Sequence, residues 1–131
     1  MLEREPLARG QRLRLTPAVH VWASVLSVPE PRWAILGAGR RDFGDDAGPP
    51  RLVRHLRHGA DLDRGDALAA ARIVRVNDQH ATVALPDGAD LRVGDLVALG
   101  PAHPCTTFDK RRTVHLVADD LTVLEVLETY F

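Results

Sequence analysis

The amino-acid sequence predicts a mainly β chain: a small antiparallel barrel or sandwich with little helix. Two observations carry that expectation. Short runs rich in β-branched and aromatic side chains alternate apolar with polar positions, the period of a half-buried strand. Gly, Pro, Asn and Asp punctuate those runs at short intervals, as turns do in all-β domains.

In chain order, residues 19–26 (VHVWASVL) read as a strand that ends before Pro29 and Pro31, because proline has no amide to give a ladder. Trp33–Leu36 reads as a second, short strand. Residues 37–50 are rich in Gly, Asp and Pro and predict a long loop. Residues 51–71 are ambiguous: Leu56, Leu62 and Leu68 are spaced too widely for a helix stripe, yet DALAAAR has high helix propensity. Beyond them ARIVRV alternates, Asn77-Asp78 makes a turn, ATVAL follows, and Pro86-Asp87-Gly88 is a tight turn of the kind that connects hairpins. A Val-Gly-Asp turn then leads into a strand ending near Gly100. Thr113–Val117 and residues 121–127 close the chain around a turn at Asp119-Asp120. The opening residues are polar, and residues 1–16 are expected to connect to, or be the remnant of, a preceding domain.

Composition bounds the function. The chain has 131 residues, 45% apolar and 27% charged, the size and balance of one globular domain. No run of about 18 apolar residues exists to span a bilayer. The start, Met-Leu-Glu-Arg-Glu, puts carboxylates where a signal peptide is basic and then apolar, so a cytoplasmic location is expected. Net charge is −1 and the arginines are interspersed with acids, unlike the one-signed stripe that binds nucleic acid. Of 17 basic residues only Lys110 is a lysine, and it sits beside Arg111 and Arg112, which reads as a solvated face. It is therefore not nominated to form a Schiff base, and no catalytic or cofactor-binding residue is assigned.

The single cysteine, Cys105, excludes an internal disulfide. It stands two residues from His103 in GPAHPCTTFDK. On an extended chain such residues point to the same side, so imidazole and thiolate can converge on one ion, a pair suited to Zn²⁺ with positions left open for water or substrate. The alternative is that His-x-Cys arises by chance and the cysteine is a small hydrophobe. Pro101 and Pro104 favour a pre-organised ligand loop.

Four stretches in order, PAVHVWASVLSVPEP (17–31), GRRDFGDDAGPP (39–50), NDQH (77–80) and GDLVALGPAHPCTTFDKRR with LVADDLTVLEVLETYF (94–131), resemble the carboxyl-terminal domain of the D-serine dehydratase, amino-acid deaminase and D-threonine aldolase family. The resemblance implies an alanine-racemase-like β domain over residues 17–131. In complete members it follows an eight-stranded α/β barrel that carries pyridoxal phosphate. It also implies that His103 and Cys105 hold a divalent metal, zinc among the candidates. Aspartate replaces the cysteine in the aldolase branch, so Cys105 points to the dehydratase or deaminase side. Asp78, His80, Arg41 and Asp42 become candidates for the substrate pocket or for supporting the ligands. The alternatives are a turn-capping Asp78, an exposed His80, and a solvated loop in which Arg41, Asp42 and Asp46 are held by the loop's own ion pairs. No tyrosine stands in Gly39-Arg40-Arg41-Asp42, where the racemases carry one, which disfavours a two-base racemase. His20, His55, His58 and His115 lack supporting neighbours and read as surface or strand residues.

The expected function is the metal-bearing half of a lyase that turns a D-serine-like substrate into a keto acid and ammonia. It is expected to act as a homodimer with a pyridoxal-phosphate barrel as its partner, and to be inactive alone. The competing expectation is a stand-alone metal- or partner-binding β module that has lost catalysis.

Overall fold

The computed structural model describes residues 17–62 and 68–131; the expected connecting segment, residues 1–16, lies outside them. Nine strands dominate: β1 (Val21–Glu30), β2 (Trp33–Leu36), β3 (Arg51–Arg57), β4 (Ala60–Leu62), β5 (Arg72–Val76), β6 (Ala81–Ala84), β7 (Leu96–Gly100), β8 (Thr113–Val117) and β9 (Val123–Glu128). One helical turn, α1 (Cys105–Phe108), lies between β7 and β8. The first seven strands form one antiparallel sheet in the order β4-β3-β7-β1-β2-β6-β5, and β8 and β9 pair only with each other. Strands β3 and β5, from opposite parts of that order, touch, so the sheet curls around its core, but no ladder closes it into a barrel.

The alternation read from sequence becomes the inside and outside of this curl. Ala23, Val25, Ala34, Leu36, Ile73, Ala81, Val83, Val97 and Leu99 share one buried core. Each large side chain buried there contributes roughly 1.5–3 kcal/mol of apolar transfer.

Three expectations are corrected. Strand β1 does not stop before Pro29 but continues to Glu30. Its far half pairs with β2 through two register shifts, while β7 bonds only its near half, from Val21 to Ser24. A proline without an amide is tolerated at such a bulged, half-free edge. The Pro86-Asp87-Gly88 turn does not close a hairpin: the chain crosses over, and β7 inserts between β3 and β1. The first part of the ambiguous segment is the β3–β4 hairpin, with Arg57 opposite Ala60. Within residues 51–71, the helix among the described residues covers Leu68 and Ala69.

Candidate functional site

The loop of residues 37–50 has no regular structure, yet it is firmly anchored. Phe43, the one large apolar side chain in its polar centre, is fully buried in the core. On one side the loop docks onto the turn that joins β5 to β6. Arg40 N–H donates to Asn77 O at 2.9 Å and Arg41 N–H to Asp78 O at 3.0 Å. A Cβ at Gly39 would lie 2.2 Å from Asn77 O, so only glycine lets the two backbones approach this closely.

On its other side the loop grips the segment carrying α1. Gly44 N–H donates to Thr107 Oγ1 at 3.1 Å, and Thr107 Oγ1 donates to His103 O at 3.1 Å. Asp46 receives two side chains: Thr106 Oγ1 on Oδ1 at 2.8 Å and His103 Nδ1 on Oδ2 at 2.6 Å. A carboxylate can only accept, so Nδ1 carries a proton. The His103 and Thr106 bonds hold the Asp46 carboxyl below its usual range, as hydrogen bonding to the charged form requires. No described residue bonds His103 Nε2.

The loop thus joins three of the four quoted sequence stretches into one polar surface. Asp42 closes it: Oδ2 accepts from Gly39 N–H at 3.0 Å, and Oδ1 accepts from Arg111 beyond α1. The reading of this loop as held by its own ion pairs fits Arg40 and Asp45, but Asp42 and Asp46 both reach outside it. Asp78 and His80 are exposed, and their backbones rather than their side chains make the bonds: Asp78 O receives Arg41, and His80 O receives Asn77 N–H at 2.8 Å. Arg41 is exposed as well.

Between His103 and Cys105 the chain is not extended. Pro104 is helical, with φ −61° and ψ −38°, and Cys105 opens α1, so the alternation that would aim both side chains to one side does not apply. The side chain bonded to the His103 ring is that of Asp46. Cys105 is an exposed free thiol. Among the described residues, no three His, Cys, Asp or Glu side chains group as a complete metal cage. An imidazole with one open nitrogen and an exposed thiol fit a divalent metal as a partial donor set, whose other positions fall to water, substrate or another chain.

Sequence reading missed a second polar cluster. His55, taken for a surface or strand residue, is buried at 3% exposure, as is Asp95 at 2%. His55 Nε2 donates to Asp95 Oδ2 at 2.7 Å. Arg57 adds two bonds, from Nε to Oδ1 at 2.9 Å and from a terminal nitrogen to Oδ2 at 2.8 Å, and Arg92 N–H adds another at 2.9 Å. Burial opposes ionisation of Asp95, but these donors outweigh it and hold the carboxyl well below the usual range. Arg57 also pairs with Asp90 at 2.8 Å, and with Arg92 it draws the exposed Asp90 down to about 2. The only local signal was an imidazole beside Leu56 in the run RLVRHLR. The partner aspartate lies 40 residues away.

The β8–β9 hairpin stands apart from the main sheet. Leu116, Val117, Val123, Leu124, Val126 and Leu127 are all exposed, as are Tyr130 and Phe131 beyond it. Its base is tied down where Thr129 N–H meets Arg112 O at 2.8 Å. Near its tip, Arg54 donates to Asp119 O at 3.1 Å. An open depression of about 700 Å³ at that base is lined by Lys110, Arg111, Arg112 and Tyr130 among others. It lies apart from His103 and contains neither candidate ligand. Among the described residues, no helix is long and apolar enough to cross a membrane.

Comparison with known proteins gives a consistent picture. The family model described as "Putative serine dehydratase domain" matches residues 18–117. No curated protein matches the chain. Among solved structures, a D-threonine aldolase from Filomicrobium marinum superposes with a TM-score of 0.66 at 24% identity over 83% of this chain and 27% of its own. The D-threo-3-hydroxyaspartate dehydratase of Delftia sp. HT23 gives 0.60 at 21% identity, over 83% of this chain and 31% of its own. An alanine-racemase-like protein from Idiomarina loihiensis gives 0.61 at 18% identity, over 83% and 30%. A D-threo-3-hydroxyaspartate dehydratase carrying a cysteine-to-alanine substitution, in a metal-free form, gives 0.61 at 20% identity, over 83% of this chain and 31% of its own. The chain spans less than a third of the length of each of these neighbours.

Proposed function

Because the chain belongs to the serine dehydratase domain family, we propose that it is the metal-bearing β domain of a pyridoxal-phosphate-dependent D-amino-acid dehydratase or deaminase. The observation that carries the reading is the His103 ring, whose Nδ1–H is held by Asp46 while Nε2 faces no described donor or acceptor, two residues from the exposed thiol of Cys105. A cysteine at that position, rather than an aspartate, favours the dehydratase side over the aldolase side.

In this reading His103 and Cys105 hold a divalent ion, zinc being well suited to one imidazole and one thiolate. When bound, the metal supplies Lewis acidity to a substrate hydroxyl, and pyridoxal phosphate on a separate α/β barrel supplies the electron sink. The chain's own residues position rather than react. Asp46 orients the ligand ring, and Thr107 holds the His103 carbonyl. Gly39 and Gly44 let the loop sit close enough to do both, and Arg41, Asp78 and His80 are exposed on the same surface for contact with a D-serine-like substrate. The product is a keto acid and ammonia. Residues 1–16 connect to the barrel, and the exposed apolar hairpin faces it or the second subunit of a homodimer, since contiguous bare apolar patches mark interfaces. The reaction belongs to the cytoplasm.

The test is the metal content of the chain purified without chelator. Near-stoichiometric zinc is expected in the parent and none in His103→Ala; a parent that stays empty when zinc is supplied overturns the ligand assignment. The chain mixed with pyridoxal phosphate and D-serine should form no pyruvate, and turnover would overturn the requirement for a barrel.

A further inference from the structure

We propose that Asp46 and Thr106 are positioning residues that lock the His103 ring in its Nδ1–H tautomer and so leave Nε2 as the nitrogen offered to a metal. The inference rests on the metal reading above and adds to it the residues that fix the ligand's tautomer and aim.

A neutral imidazole carries its one proton on either nitrogen, and the protonated nitrogen cannot bind a metal. An exposed histidine exchanges between the two forms, and in only one of them is Nε2 a donor. Asp46 removes that freedom, because Oδ2 sits 2.6 Å from Nδ1 and rewards the Nδ1–H form alone. The carboxylate is itself aimed, since its other oxygen receives Thr106 Oγ1 at 2.8 Å. The backbone of His103 is held by the same segment, with its carbonyl receiving the hydroxyl of Thr107 at 3.1 Å. Ring and carboxylate are therefore fixed relative to one another by side chains 57 and 60 residues from Asp46 in sequence, while the carbonyl is held locally by Thr107. Gly44 completes the fit, because a Cβ there would lie 1.9 Å from Thr106 Oγ1 and 2.7 Å from its Cβ. Carboxylates placed behind ligand histidines in this way typically change metal affinity by roughly 10–100-fold.

The experiment uses the full metal-free chain at about pH 8.5, above the ordinary imidazole range. Long-range proton–nitrogen NMR spectra of the ring report the tautomer, and calorimetric titration with zinc ion reports affinity. His103 is expected to be Nδ1–H in the parent, to shift towards Nε2–H in Asp46→Ala, and to remain Nδ1–H in Asp46→Asn, whose amide oxygen still accepts. Zinc affinity should fall by about 10–100-fold in Asp46→Ala, with partial recovery in Asp46→Asn and a smaller loss in Thr106→Val. The Asn variant keeps the volume of the parent and guards against a folding artefact. An unchanged tautomer and affinity in Asp46→Ala, with binding still lost in His103→Ala, overturns this inference alone. Zinc binding that survives His103→Ala overturns the metal reading beneath it.

Discussion

Two histidines in this domain each give a ring proton to an aspartate at nearly the same distance, 2.7 Å for His55 and Asp95 and 2.6 Å for His103 and Asp46, in opposite surroundings. The first pair is 3% exposed on both sides, while the second is 37% and 51% exposed. Asp95 is saturated by His55, Arg57 and the Arg92 amide, so it has nothing left to offer a ligand and serves to join β3 to the turn before β7. Asp46 receives one donor on each oxygen, and the ring it holds keeps one nitrogen that no described residue bonds. A histidine–aspartate pair is thus a structural strut or half of a binding site according to what remains unsatisfied around it, and the distance alone does not distinguish them.

Substitutions sharpen that contrast. The largest effect is expected at Asp95. Asp95→Asn sets the half-buried Arg57 against a neutral side chain at a buried site and should cost about 3 kcal/mol in urea denaturation at neutral pH, the low end for a broken buried pair. The sign of its pH dependence follows from the depressed carboxyl: its stabilisation is fully present above the unfolded-state value of about 4 and is lost as pH falls through the folded-state value. The gap between parent and variant should therefore narrow below about pH 4; a constant gap would deny that Asp95 is ionised in the fold.

A middle effect is expected at Gly44→Ala. The added methyl must displace Thr106, so a loss of roughly 1–3 kcal/mol is expected, together with a weakened hold on His103 that appears as lower zinc affinity. Stability lost without any change in zinc binding would separate the loop from the ligand. The smallest effect is expected at Arg32→Ala. Its partner Asp87 lies 3.6 Å away and both side chains are largely exposed, so a change within about 0.5 kcal/mol is expected. A larger value would mean that exposed pairs here carry more than solvent screening allows.

The sequence made local structure legible and left long-range pairing hidden. Trp33–Leu36 and Thr113–Val117 have the same bounds in the reading and in the fold, because a short run of strand-forming residues between turn residues is a local signal. The insertion of β7 between β3 and β1 was not legible, since nothing in Pro86-Asp87-Gly88 says whether the next strand pairs with the last one. The extent of β1 was misjudged because the penalty on Pro29 depends on whether a neighbour needs its amide, which is a tertiary fact. At the candidate site the residue types and spacing pointed to His103 and Cys105. The partner that the structure gives His103 is Asp46, from a loop read as solvated, and no local pattern links positions 57 residues apart. Phe43 was the overlooked clue that this loop is held down.

The β8–β9 hairpin carries a consequence for the behaviour of the chain in solution. Each of its strands is bonded on one side only, its apolar side chains are open to water, and a lone two-stranded ribbon is marginally stable. Such a ribbon opens well below the free energy that unfolds the main sheet, so its amides exchange with solvent first. Its free edges are templates for a foreign strand. Overexpressed with this hairpin uncovered, the domain will tend to lose solubility through strand-to-strand recruitment there while its core remains folded.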